Sequence, residues 1–171
     1  MAPQPFGASR AEWEALGKLC LADLLPTICD PSVQPDARSL MQWLTRAPSM
    51  MLDNGKGRGI ARWPDLTTTS TLDWQQHPEH GICIITRRIR AIDIDITNEA
   101  WATYAQAVAN GVAGAILPMR GRAGSSKRLL VYRLSDAPGP LKKTVVESDN
   151  GNVEFLHDRQ QFIAAGMHWS G

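Results

Sequence analysis

An α+β fold with a mixed or antiparallel sheet is what this chain of 171 residues predicts, and three observations lead there. The first stretch is helical in pattern and broken by prolines. The middle alternates strand, helix and strand. The last part is a series of short β-branched segments separated by turn residues.

Taken in order, residues 1–7 are Pro-rich and expected to be loose. Ser9-Arg10-Ala11-Glu12 is a capping box. Trp13, Leu16, Leu19, Cys20, Ala22 and Leu24 continue it as an amphipathic helix to about Leu25, where Pro26 ends it. A second helix is expected over 36–46, with Leu40, Met41, Trp43 and Leu44 inward. Residues 47–71 have little periodicity. Within them Asp53-Asn54-Gly55-Lys56-Gly57-Arg58-Gly59 reads as a flexible basic loop, without the Lys-Ser/Thr ending of a phosphate-binding P-loop. Ser70 can cap a short helix carrying Leu72 and Trp74 that ends near Pro78. Strands follow at 81–86 and 90–96, then a helix from Glu99 to Asn110 closed by Gly111. Further strands are expected at 115–119, 128–134, 144–147, 152–156 and 161–164, and Asn150-Gly151 marks a hairpin between the third and fourth of these.

Composition narrows the class. Apolar and charged fractions are those of a globular protein long enough to bury a normal core. A net charge of +1 does not by itself point to nucleic acid, but the cations cluster: Arg87, Arg88 and Arg90 in one place, Arg120, Arg122, Lys127, Arg128 and Arg133 in another. A solvated surface is the plain reading of both. Cys20, Cys29 and Cys83 have no Cys-x-x-Cys spacing, which argues against structural zinc and for a reducing compartment. With no secretory signal and no membrane-length apolar run, a cytoplasmic location is expected.

The run Arg90-Ala91-Ile92-Asp93-Ile94-Asp95-Ile96 carries the most functional information. In a strand, Ile92, Ile94 and Ile96 share one face, and Asp93 and Asp95 the other. At roughly 6 Å and an effective dielectric of about 20, two carboxylates repel by about 3 kcal/mol. A divalent cation relieves that repulsion. The same alternation also describes an amphipathic edge strand with a solvated charged face. The apolar strand Gly81-Ile82-Cys83-Ile84-Ile85-Thr86 just upstream suggests instead a sheet with one covered and one working face. Glu154, in Asn152-Val153-Glu154-Phe155-Leu156, repeats the pattern, and two acids from one strand with a third from another suit a pair of divalent ions.

In this order the motifs resemble the catalytic domain of archaeo-eukaryotic-type primases, in particular the bifunctional primase-polymerases of phages and plasmids. The resemblance runs over about residues 55–171. It rests on Ala91-Ile92-Asp93-Ile94-Asp95-Ile96, on the Gly/Ser turn and strand from Gly121 through Ser125-Ser126-Lys127-Arg128 to Arg133, on Val153-Glu154-Phe155, and on Phe162-Ile163-Ala164-Ala165-Gly166-Met167-His168-Trp169-Ser170-Gly171. One departure is clear: the family's second motif presents Ser-x-His, and here Lys127 or Arg128 replaces the histidine, depending on frame.

The resemblance implies an RNA-recognition-motif-like palm over 81–171, with an N-terminal helical and loop subdomain over 1–80 packed on it in one compact catalytic domain. It implies template-directed nucleotidyl transfer on single-stranded DNA in replication initiation, with Asp93, Asp95 and Glu154 as catalytic residues and ligands of two Mg²⁺ or Mn²⁺ ions. Arg122, Ser125, Ser126, Lys127, Arg128 and His168 are then candidates for the nucleoside triphosphate, and Lys56, Arg58, Arg87, Arg88 and Arg90 for template phosphates. Trp63 or Trp74 can stack a base or pack in the core. Relatives continue past this point, often into a helicase, so a replicative helicase in cis or trans is an expected partner and the chain is compatible with being part of a longer protein. Two other readings stay open: a catalytically weak nucleic-acid-binding palm, for which the missing histidine speaks, and another Asp-x-Asp metal enzyme such as a nuclease or sugar-nucleotide transferase.

Overall fold

A computed structural model describes residues 7–20, 23–28, 49–51, 57–59, 80–134 and 141–166. The elements run α1 (Arg10–Cys20), β1 (Leu24–Ile28), β2 (Ser49–Met51), β3 (Gly57–Gly59), β4 (His80–Ile85), β5 (Ile89–Ile96), α2 (Glu99–Ala113), β6 (Met119–Gly121), β7 (Arg128–Arg133), β8 (Thr144–Ser148), β9 (Gly151–Leu156) and β10 (Gln161–Ala165). The chain is α+β, and every strand pairing among the described residues is antiparallel. The helices expected over 36–46 and after Ser70 lie outside the described residues, as do Lys56, Trp63, Trp74 and His168. Among the described residues no helix is long and apolar enough to cross a membrane.

Two compact units divide the chain, Met1–Ile85 with Gln161–Gly171, and Thr86–Gln160. The division therefore falls at residue 85, and 161–171 returns to the first unit instead of staying with 81–160. In the first unit, Ser9 and Glu12 form the expected capping box: Ser9 N donates to Glu12 Oε2 at 2.7 Å, and Glu12 N to Ser9 Oγ at 3.3 Å. Helix α1 stops at Cys20, short of the expected Leu25, because 24–28 pairs with β4 as a strand. Pro26 is tolerated there since β1 is an edge strand of the sheet β1-β4-β10. Residues 57–59, expected in a loop, pair as β3 with β2.

The second unit carries the five-stranded sheet β6-β7-β5-β9-β8. Strand β5 is central, hydrogen-bonded to β7 on one side and β9 on the other, so the solvated-edge reading of 90–96 does not hold. The apolar strand β4, expected beside β5, belongs to the other sheet. Since β7 is antiparallel to both neighbours, β5 and β6 run parallel with β7 between them, the split β-α-β arrangement joined by α2. Among the described residues the sheet is completed by the β8–β9 hairpin and not by a second helix.

One face of this sheet is the core. Ile92, Ile94, Ile96 and Leu130 pack with Ala102 of α2 and Leu117, flanked by Ala105, Ala109, Tyr132, Val153 and Phe155. Small residues on α2 let it sit close to the isoleucine row, where each fully buried side chain contributes about 1.5–3 kcal/mol. Asn98 caps α2 by accepting a hydrogen bond from Trp101 N at 3.1 Å. The helix ends at Gly114 (φ 66°), one turn beyond the expected Gly111, because Gly114 is the residue in the left-handed conformation that the C-cap needs. Gly151, which starts β9 after the Asp149-Asn150 turn, has φ 127°, and a Cβ there would stand 2.1 Å from Asp95 O of β5.

Candidate active site

The opposite face of the five-stranded sheet gathers the three acids. Asp93 and Asp95 alternate with the buried isoleucines of β5, and the register sets Asp93 directly across from Glu154 and Asp95 across from Asn152. Directly opposed residues in an antiparallel pair have Cβ atoms about 4.5–5.5 Å apart on the same face. All three carboxylates therefore share one patch, as the alternation predicts. Leu129 flanks Asp93 on the β7 side, and Val145 of β8 flanks Glu154.

Crowding shows in Asp93. Burial, then the neighbouring charges of Asp95 and Glu154, push its pKa from 3.8 up to about 6, while Lys143 and Lys127 pull the other way. Among the described residues, Lys127 forms an ion pair with Asp95 and Lys143 one with Glu154, but none pairs with Asp93. Asn152 Nδ2 also donates to Glu154 Oε1 at 3.0 Å. The hard oxygen donors and the excess negative charge centred on Asp93 fit Mg²⁺ or Mn²⁺. Among the described residues no three His, Cys, Asp or Glu side chains already surround one point as metal ligands. Two of the carboxylates would have to leave their lysines first.

Lys143 was not singled out from sequence. Its signal was there: the turn at 149–150 sets Val145 opposite Glu154, which puts Lys143, two residues earlier, on the same face and diagonal to that acid.

The 121–128 segment sorts by alternation. Thr97, Glu99, Gly124, Ser125, Ser126 and Lys127 line an open depression of about 570 Å³ at the Asp95 end of β5. Ser126 Oγ donates to Ile96 O at 2.6 Å, fixing this turn to the strand, and Ser125 Oγ accepts from Lys127 N at 3.3 Å. Arg122 precedes the turn, its carbonyl accepting from Ser125 N at 3.1 Å. Arg128 departs from expectation. It pairs in register with Ile94 and so faces α2, where it donates to Gln106 Oε1 at 2.5 Å and to Thr103 Oγ1 at 3.2 Å and pairs with Glu99. Of Lys127 and Arg128, only Lys127 is on the acidic face.

Arg90 also departs from expectation. Its side chain is 1% exposed and donates to Asp158 Oδ1 at 2.5 Å, so it is closed to a template phosphate. Asp158 in turn accepts from Leu141 N at 3.0 Å, and this chain of contacts holds the segment leading to Lys143. Arg87 and Arg88 lie in the turn before β5, about 16 Å of strand away from Asp93. Arg58 is in β3, in the other unit. The structure thus joins Asp93, Asp95, Glu154, Ser125, Ser126 and Lys127, and within the same unit sets Arg87, Arg88 and Arg90 apart from them.

Comparison with protein-family models, with curated proteins and with solved structures finds no match to this chain.

Proposed function

We propose that this chain is a primase-polymerase catalytic domain, performing template-directed nucleotidyl transfer on single-stranded DNA. The observation that carries the reading is the shared position of Asp93, Asp95 and Glu154 on the face of the central strands opposite α2, with Asp93 destabilised as an anion. The split β-α-β half of the sheet supports a palm of RNA-recognition-motif type. Asp93, Asp95 and Glu154 would hold two divalent ions, which when bound supply Lewis-acid stabilisation of the charge that develops on the α-phosphate. One of the ions would also lower the pKa of the attacking 3′-hydroxyl. Lys127 and the hydroxyl of Ser125, at the rim of the depression, are placed to bind the triphosphate.

A second reading is favoured by one observation: Lys127 and Lys143 already neutralise two of the three acids, as they would in a nucleic-acid-binding sheet without chemistry. The test is incubation of the whole chain with single-stranded DNA, Mn²⁺ and labelled nucleotides. Template-dependent products that disappear in Asp93→Ala support the enzyme. DNA binding without synthesis favours the idle module, and strand cleavage favours a nuclease.

A further inference from the structure

Lys127 belongs to two places at once. Its ammonium is paired with Asp95, and its side chain forms part of the wall of the depression with Gly124, Ser125 and Ser126. Lys143 holds Glu154 on the same face, from the β8 end, and is not part of that wall. The two lysines thus do the same electrostatic job for different acids, but only one can reach an anion in the depression without leaving its neighbourhood.

Each partner of the Lys127–Asp95 pair is about two-fifths exposed, at 40% and 44%, so the lysine has solvent to turn into, and its departure would uncover Asp95 Oδ1, which is buried in the pair. A lysine has four rotatable carbons and a compact charge, which suits it to swinging between acceptors. The alternative cation is not available for this. Arg128 is 13% exposed and tied to Gln106, Thr103 and Glu99, so it also keeps the Glu99 carboxylate at the rim occupied. Ser126 is spent on Ile96 O, whereas the Ser125 oxygen accepts from Lys127 N and keeps its own proton to donate.

We propose that Lys127 is an exchangeable counter-ion that couples the two halves of the site. An anionic tetrahedral group in the depression draws Lys127 off Asp95 and frees that carboxylate for a divalent cation; a cation on Asp95 releases Lys127 to the anion. Because the coupling is thermodynamic it is reciprocal, and each ligand tightens the other. It does not require the two ligands to touch. The inference rests on the acids being a cation site, as proposed above.

The test uses Mn²⁺ and sulfate, a tetrahedral dianion that chelates Mn²⁺ weakly, with the whole chain and ionic strength held constant with chloride. Free Mn²⁺ is read by electron paramagnetic resonance. In the wild type, sulfate tightens Mn²⁺ binding by about fivefold or more, the lower range of ordinary site-site coupling. Lys127→Met, and Lys127→Gln as a second variant, bind Mn²⁺ more tightly in chloride and no longer respond to sulfate. Lys143→Met also binds Mn²⁺ more tightly but keeps the sulfate response. A sulfate effect that persists in both Lys127 variants overturns the inference, as does Mn²⁺ binding that is sensitive to Asp93→Asn yet indifferent to sulfate in the wild type. In that second case the cation-site reading survives. No Mn²⁺ binding in the wild type removes both.

Discussion

On the face of the five-stranded sheet that α2 covers, charged groups are held in buried settings: Arg128 by Gln106, Thr103 and Glu99, and the 1%-exposed Arg90 by Asp158, which itself also holds Leu141. On the other face each lysine has one acid, and Asp93 has no cation among the described residues. The contrast is sharpest between neighbours, since Lys127 and Arg128 are consecutive. A planar guanidinium with several partners in a dry setting acts as a strut. An ammonium on a flexible stem in a wet setting remains exchangeable. Charge on the covered face keeps the fold, and charge on the open face is kept available.

That division can be broken in order of effect. Gly151→Ala should cost most, on the order of 3 kcal/mol or more in chemical denaturation, because the residue combines a positive φ with a backbone atom where a Cβ must go. Asp158→Ala leaves Arg90 buried without its counter-charge and should cost about 3 kcal/mol, read in the same way. If both substitutions leave the melting temperature unchanged, the covered face is not the strut described.

On the open face the expected effect concerns pH. The folded pKa of Asp93, about 6, lies above its ordinary 3.8, so the folded state binds this proton more tightly than the unfolded chain does. The stabilisation is fully present below about pH 4 and is lost as pH rises through 6, a change on the order of 3 kcal/mol in this group's contribution. Asp93→Asn should remove that slope from the difference between wild-type and variant stability curves. Bound Mn²⁺ should shift the slope to lower pH, since it favours the carboxylate. The smallest contrast is between the neighbours. Arg128→Ala should cost about 1–1.5 kcal/mol and leave Mn²⁺ binding alone, whereas Lys127→Met should move stability by less than about 0.5 kcal/mol and change Mn²⁺ binding.

Alternation made much of the site readable in advance. It placed Asp93 and Asp95 together, set Glu154 on the same kind of face, and with the Asn150-Gly151 turn announced the hairpin that brings Glu154 within reach. The errors came where a pattern was local but the answer was not. Helical spacing ran on past Cys20, yet pairing with β4 turned 24–28 into a strand. The apolar strand β4 was assumed to adjoin β5 because it precedes it, and strand order is decided by long-range pairing. Gly111 was the expected cap, but the residue with the left-handed backbone angle is Gly114. Arg90 looked like its neighbours Arg87 and Arg88 until burial set it apart. Lys143 was within reach of register counting but was lost among exposed lysines.

Gly151 gives this arrangement a further property. Strand side chains have only two directions, so a slip of one residue between β5 and β9 would not loosen the carboxylate patch by degrees; it would send Glu154 to the α2 side and bring Val153 into its place. The close approach of Gly151 to Asp95 O pins the count at the end of the ladder where such a slip would begin. The three acids are thus either all assembled or not assembled, and a chain that misfolds by one residue would lack the carboxylate patch outright instead of carrying a distorted one.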